Sequence, residues 1–303
     1  MQTETLWKRR YKVHFPDLGF SFDNMDDEKD GLKISFSVDK DLTQESNKTV
    51  LKIWNLTNDT RAKIEKADTL LEIYAGYKEN GGVIKLFRGT VIIAQTKDEG
   101  KDVVTELRLS DGEIALRDSI VSLSFPPDTD GRKVADTIAG EMGLTVSYAA
   151  DVQMETYKNG FSYAGYAKDA MTEVCNAFGC DWSIQNGIIQ IIMAGGTFAD
   201  RGIVFSPSTG LIGSPERIIR SKPSEDKETN SEKRRRKEKK EKPEKQAGWE
   251  IKTLLFPSIN PGDAVKVESR LVSSWFRVES VTHEGELFGG SCNSKFKLIE
   301  GVE

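Results

Sequence analysis

Leu32-Lys-Ile-Ser-Phe-Ser-Val38 alternates apolar and polar residues at every step. A chain with that period of two can only be an extended strand with one face buried and the other wet. Leu51-Lys-Ile-Trp-Asn-Leu56 repeats the pattern, less cleanly at Trp54. Between it and the next strand, Thr57-Asn-Asp-Thr60 supplies capping residues, and Arg61 to Ala67 reads as a short helix. Strands resume at Leu70–Tyr77, turn through Glu79-Asn-Gly-Gly82 and continue through Val83–Phe87. Phe87–Ile93 and Val103–Leu109 flank the polar Lys97-Asp-Glu-Gly-Lys101, the pattern of a hairpin. About six strands with one short helix make a barrel-like or sandwich module.

Downstream the period changes. In Asp130–Met142, Val134, Ile138 and Met142 fall four apart on one helical face, and Gly143 is a suitable stop. Leu144–Tyr148 reads as a strand. A second helix spans about Ala167–Phe178, with Ala170, Met171, Val174, Cys175 and Phe178 as its apolar stripe. Trp182–Ile192 follows, and its Asn186-Gly187 step is the strongest hairpin signal in the chain. The last third returns to strands at Trp249–Phe256, Ala264–Val267, Ser274–Val281 and Ser294–Ile299, with a turn at Pro261-Gly262-Asp263 and a loop at Gly285–Gly290. The expected fold is mainly β with α+β: two β-barrel-like modules, 1–119 and 201–303, flanking a small two-helix α+β module, 120–200.

A charged insertion, 221–246, interrupts the last module. It carries eight Lys and three Arg against seven acids, a surplus of four positive charges. One reading is a disordered, solvated surface loop. The other is an electrostatic contact with DNA, an acidic partner or a membrane. Interleaved acids and the lack of aromatic residues weaken the nucleic-acid version.

Composition narrows the function classes. The 303 residues are 37% hydrophobic and 30% charged, which suits a globular protein rather than a disordered one. No apolar run approaches the roughly 18 residues of a membrane span. The residues Met1–Arg10 have no apolar core or cleavage site, so no secretory signal is expected there. A net charge of −5 gives no general case for nucleic-acid binding. Cys175, Cys180 and Cys292 have neither redox nor zinc spacing, and are expected to be buried structural thiols in a reducing cytoplasm.

Catalytic patterns fail one by one. His283-Glu284 opens a zinc-peptidase pattern whose second histidine would fall at Leu287. His283 is therefore expected to end a strand and order a turn, and His14 to decorate a strand. Glu284 with Glu286, and Asp111 with Glu113, are paired carboxylates of the kind a glycosidase needs, but 48 acidic residues produce such pairs by chance. No nucleophile elbow or phosphate-binding loop is present, and Asn80-Gly-Gly82 precedes a strand, without the helix that a phosphate cradle requires. No catalytic, cofactor or metal residue is assigned.

Four sets of stretches together carry a resemblance. They are Thr49–Arg61 with Ile73–Tyr77 and Leu86-Phe-Arg-Gly89; Leu109–Arg117 with Val121–Phe125; Thr209–Pro215; and Asn260–Ser269 with Trp275–His283. In order and spacing the chain resembles the baseplate hub family of tailed phages and related contractile injection systems, over about four fifths of its length. The resemblance implies a structural, non-enzymatic virion protein without cofactor. It implies a homotrimer whose two barrel-like modules per chain form a pseudo-sixfold ring around a channel. That ring would join the tail tube, or a tube-initiator protein, to a central spike or tip, near the tape measure protein and other baseplate proteins. DNA would pass without sequence-specific recognition, and no membrane insertion is implied. Assembly in the host bacterial cytoplasm goes with this reading. Two other classes remain: a peripheral tail module binding a host surface polymer, and a tail-associated cell-wall hydrolase. Trp54, Trp182, Trp249 and Trp275 are too scattered to argue for the first.

Overall fold

The computed structural model describes residues 8–26, 31–66, 68–78, 82–221, 245–286 and 290–300. The first third forms β1 (Arg9–Phe15), a 3-10 turn at Pro16–Leu18, β2 (Phe20–Asp23), β3 (Ile34–Asp41), β4 (Lys48–Trp54), α1 (Asn58–Ile64), β5 (Leu70–Tyr77), β6 (Val83–Glu99) and β7 (Asp102–Ser110). The middle holds α2 (Glu113–Asp118), β8 (Ile120–Phe125), β9 (Thr129–Asp130), α3 (Gly131–Glu141), β10 (Thr145–Tyr148), β11 (Thr156–Tyr157), β12 (Phe161–Tyr166), α4 (Ala167–Ala177), β13 (Cys180–Gln185) and β14 (Ile188–Met193). The last third contributes β15 (Asp200–Phe205), β16 (Leu211–Ser221), β17 (Lys245–Leu254), β18 (Ala264–Glu268), β19 (Ser273–Glu286) and β20 (Cys292–Ile299). The fold is mainly β with α+β elements, as the alternation and the two helical periods predict.

Local chemistry explains the elements. In β3, Ile34, Phe36 and Val38 are buried while the serines between them are half exposed, so the period of two becomes a buried face. Asp130 caps α3, its carboxylate accepting from Arg132 N at 2.7 Å. Asn186 and Gly187 both take positive φ, 56° and 78°, which a two-residue hairpin between β13 and β14 requires. Thr57 caps α1, its hydroxyl accepting from Thr60 N, so that helix starts earlier than Arg61.

Among the described residues thirteen strands belong to one sheet, whose main path runs β16-β17-β20-β19-β3-β4-β7-β6-β5-β1-β2, with β15 and β18 off it. The path does not close into a barrel among the described residues. What joins the two ends of the chain is the antiparallel β19–β3 ladder, Ser280↔Asp41 through Glu286↔Ser35. It brings Gly285 opposite Phe36, whose ring occupies the space a Cβ at Gly285 would need. Three apolar clusters lie along the structure: one built from β1 to β7 with Leu255 and Cys292 added, one from the middle segment including α3, α4, β13 and β14, and one from β15 to β20.

Several elements escape the alternation rule. β6 and β7 extend through Lys97–Glu99 and Asp102, which read as loop, because cross-strand pairing continues into the polar tip. β19 likewise runs through His283 to Glu286, past its expected end at Val281 and into the segment read as a loop. Of the charged insertion, Ser221, Lys245 and Gln246 pair within the β16–β17 hairpin, and 222–244 lies outside the described residues. Asn80 and Gly81 lie outside them too. Since Ser221 faces Lys245 across an antiparallel ladder, replacing 222–244 by a short polar turn is expected to leave the melting temperature within a few degrees of the parent. Calorimetry of the deletion variant checks this.

Candidate functional site

Where the three clusters meet, the structure places polar groups instead of apolar ones. Asn47, just before β4, is the centre. Its backbone N–H and its side-chain amide both donate to the Asp111 carboxylate, at 2.8 and 2.9 Å. The same amide donates to Ile184 O at 2.7 Å and to Gln185 Oε1 at 3.2 Å. Its side-chain oxygen accepts from Asp41 N at 3.0 Å. Gln185 returns the contact, Nε2 donating to Asp41 O at 2.7 Å, and Asn186 N donates to Asp111 at 3.0 Å. The hairpin turn between β13 and β14 is thereby bolted to the ends of β3 and β7.

Lys40 completes the junction toward the last third of the chain. It is buried, and its ammonium donates to Asn260 Oδ1 at 3.0 Å. Asn260 N in turn donates to Asp263 Oδ2 at 2.9 Å. Burial pushes the Lys40 ammonium down from its ordinary pKa, while the charges of Asp111 and Asp263 pull it back up. Burial pushes the Asp111 carboxyl up, opposed by the Asn47 hydrogen bonds and by Lys40. A lysine balanced by two acids and an amide oxygen is the arrangement that lets a charge stay buried. What the junction offers is cohesion: its groups tie separate segments of the chain together.

His283 belongs to the same region, within β19 rather than ending it. Its imidazole is fully buried, with Nδ1 2.8 Å from Ser294 Oγ, and its ring meets Phe296 edge-on. Burial, reinforced by the charge of Lys40, drives its pKa well down, so the ring is neutral. The reading of His283 as a turn-ordering residue at a strand end is therefore replaced: pairing with both β3 and β20 carries the strand past it.

The other residues singled out in the sequence do not converge. His14 decorates β1, as expected, with Nδ1 3.3 Å from Glu72. Glu284 and Glu286 border a shallow groove of about 230 Å³ with Ser35, Ser37 and Lys52, and are engaged by Lys295 and Lys33 respectively. Asp111 is locked in the junction, while Glu113 begins α2. Cys175, Cys180 and Cys292 are buried free thiols. Among the described residues no three His, Cys, Asp or Glu side chains group as metal ligands. Trp182 is core, Trp54 lies under Lys33 at 4.4 Å, and the Trp249 indole donates to Glu300, so these three form no shared groove.

A second charged cluster sits on the β1-β5-β6 face. Glu72 accepts from Lys85 Nζ at 2.7 Å and from the Tyr74 hydroxyl at 2.8 Å. Burial alone would raise the Glu72 carboxyl, but the hydrogen bonds from Lys85, Tyr74 and His14 prevail and hold it at about 2. A folded-state pKa below the unfolded value stabilises the fold above the unfolded pKa. That contribution fades as pH falls from about 4.5 toward 2. Glu72→Gln is therefore expected to cost about 1–3 kcal/mol at neutral pH, with the gap to the parent closing across that window. Urea melts of both proteins between pH 2 and 7 measure it.

The comparisons with known proteins fit a structural role for such a junction. A family model described as baseplate hub gp41 matches residues 18–216. No curated protein matches the sequence. Among solved structures, the tail protein from Neisseria meningitidis MC58 shares the fold at 9% identity, with 97% of each chain covered and a TM-score of 0.63. The 43 kDa tail protein of prophage MuSo2 from Shewanella oneidensis does so at 10% identity, covering 96% of this chain and 98% of that one, with a TM-score of 0.63. The E. coli c3393 protein, a component of the type VI secretion system, follows at 10% identity, 89% and 74% coverage and a TM-score of 0.55. With two thirds of its length matched by the family model, the chain belongs to the baseplate hub gp41 family and is a structural component of a phage tail baseplate.

Proposed function

We propose that the chain forms a homotrimeric ring that joins the tail tube to a central spike or tip around a channel. The observation that carries this reading is the β19–β3 ladder. It pairs a strand from the first third of the chain with one from the last third, within one sheet. Three such chains in a ring would present six β modules in alternation, matching a sixfold tube on one side and a threefold spike on the other. The division into modules 1–119, 120–200 and 201–303 is part of the proposal, and the three apolar clusters support it. The c3393 protein, described as similar to the T4 tail proteins gp27 and gp5, supports the same setting.

In this role the junction of Asn47, Asp111, Lys40 and Gln185 keeps the modules at a constant angle, which a ring under load requires. Partners would be the tube or its initiator, the spike, the tape measure protein and neighbouring baseplate proteins. DNA would traverse the channel without sequence-specific contact. Folding and assembly would take place in the host cytoplasm. No helix among the described residues is long and apolar enough to cross a membrane. The function is non-enzymatic, and a zymogram on host cell walls is expected to show no clearing.

Light scattering over a concentration series tests the ring. A mass near three times 33.8 kDa is expected. A mass that stays at one chain throughout overturns ring formation by the chain alone.

A further inference from the structure

The sheet begins at β16 and runs on past β6 through β5 and β1 to β2. Among the described residues, β6 pairs with β5 only up to Thr90, while the strand continues to Glu99 with β7 as its one strand partner. At the β16 end, β16 pairs with β17 alone among the described residues. A register shift between Ile212 and Glu216, with Gly213 at φ 74°, breaks the first part of β16. Regular pairing resumes along Glu216–Ser221.

Isolated soluble proteins protect sheet edges with charge, proline or cover, because open backbone recruits other strands. Beside Pro215 and the register break of β16, both edges also display isoleucine: Ile219 is 68% exposed and Ile212 41% on β16, and Ile93 is 44% exposed on β6. The charged residues on the two edges are complementary. β16 offers Glu216 followed by Arg217, and the outer part of β6 offers Lys97 followed by Asp98, all exposed. Aligned in parallel, Glu216 meets Lys97 and Arg217 meets Asp98, on alternate faces. Aligned antiparallel, the same two steps would oppose Glu216 to Asp98 and Arg217 to Lys97, two repulsive pairs.

We propose that β16 of one copy pairs in parallel with the Ile92–Glu99 part of β6 of a second copy. This rests on the trimer reading above, and adds to it the surface and the register by which copies meet. The two edges differ, so the contact is head-to-tail, the kind that closes a ring when the rotation between copies permits. Each chain then donates one edge and accepts one.

The test uses the full-length chain. Paired strands lie about 4.8 Å apart, within disulfide reach, and the three native cysteines are buried. The double variant Arg217→Cys/Asp98→Cys is expected to cross-link oxidatively into covalent trimers on a non-reducing gel, and neither single variant should do so. In parallel, Arg217→Glu should weaken the trimer about tenfold, and adding Asp98→Arg should restore it. All these positions are exposed, so circular dichroism should match the parent. A parent that is trimeric by mass, with no cross-link and no response to charge reversal, overturns the edge pairing and leaves the ring standing. A parent that is monomeric at every concentration overturns both.

Discussion

Replacing Asp111 with alanine is expected to destabilise the protein by about 3–5 kcal/mol, the cost of stripping one partner from a buried charge. Three hydrogen bonds converge on this carboxylate, from Asn47 N, Asn47 Nδ2 and Asn186 N. Their donors would be left in a site too enclosed for easy hydration, each costing on the order of 1 kcal/mol or more. Lys40 would lose one of the two acids that offset its burial. The loss falls on contacts between segments rather than within one, so the unfolding transition should also lose cooperativity and separate into steps. Asp111→Asn is the informative companion: it keeps an oxygen for the Asn186 or Asn47 N–H and should cost less than alanine. Denaturant melts followed by fluorescence and circular dichroism measure both effects. A cost below about 1 kcal/mol with a single sharp transition would show that apolar packing alone holds the segments together.

Val278→Asp should prevent folding of the last third of the chain. Val278 has no exposure, stands opposite Leu298 in the β19–β20 ladder, and belongs to the cluster with Phe276, Phe296 and Val281. Both its backbone groups are also engaged, its N–H with Asp263 O at 2.9 Å and its carbonyl with Gly262 N at 2.8 Å, so the strand cannot shift to expose the new carboxylate. An unpaired carboxylate there has no donor within the cluster and must either ionise at great cost or stay protonated with its hydrogen bonds unmade. Loss of soluble protein is expected, and with it of the assembly proposed above. Val278→Ala, which removes two methyl groups and keeps the site apolar, should cost only about 1–3 kcal/mol and still assemble. Soluble, cooperatively folded Val278→Asp would mean that this side chain is not core. Phe36→Asp is expected to fail in the same way, since its ring fills the space over Gly285.

Much of this architecture was legible before any coordinates. Strands β3, β4, β5, β10 and β18, the helices α3 and α4, and the Asn186-Gly187 hairpin follow from period, capping and turn chemistry, which act over a few neighbouring residues. β16 is not legible as a strand, because Gly213 and Pro215 interrupt its pattern and its pairing depends on β17 across a long insertion. α2 and the β8–β12 ribbon were missed as well. Glu113–Asp118 is a helix too short to show a period, and β8 finds its partner 36 residues on, at Phe161↔Phe125.

The candidate site divides along the same line. Composition and motif spacing excluded zinc-peptidase and nucleophile-elbow patterns, and the order of four stretches pointed to the hub family that the family model shows. Those are properties of residue identity, and residue identity is all that a sequence contains. The junction was invisible there: Lys40, Asn47, Asp111, Gln185, Asn260 and Asp263 are ordinary polar residues scattered over more than two hundred positions. They become a site only when the β19–β3 ladder and the β13–β14 turn remove them together from water. Burial is a property of the whole fold, and it alone turns a surface-type lysine and aspartate into the groups that hold this protein together.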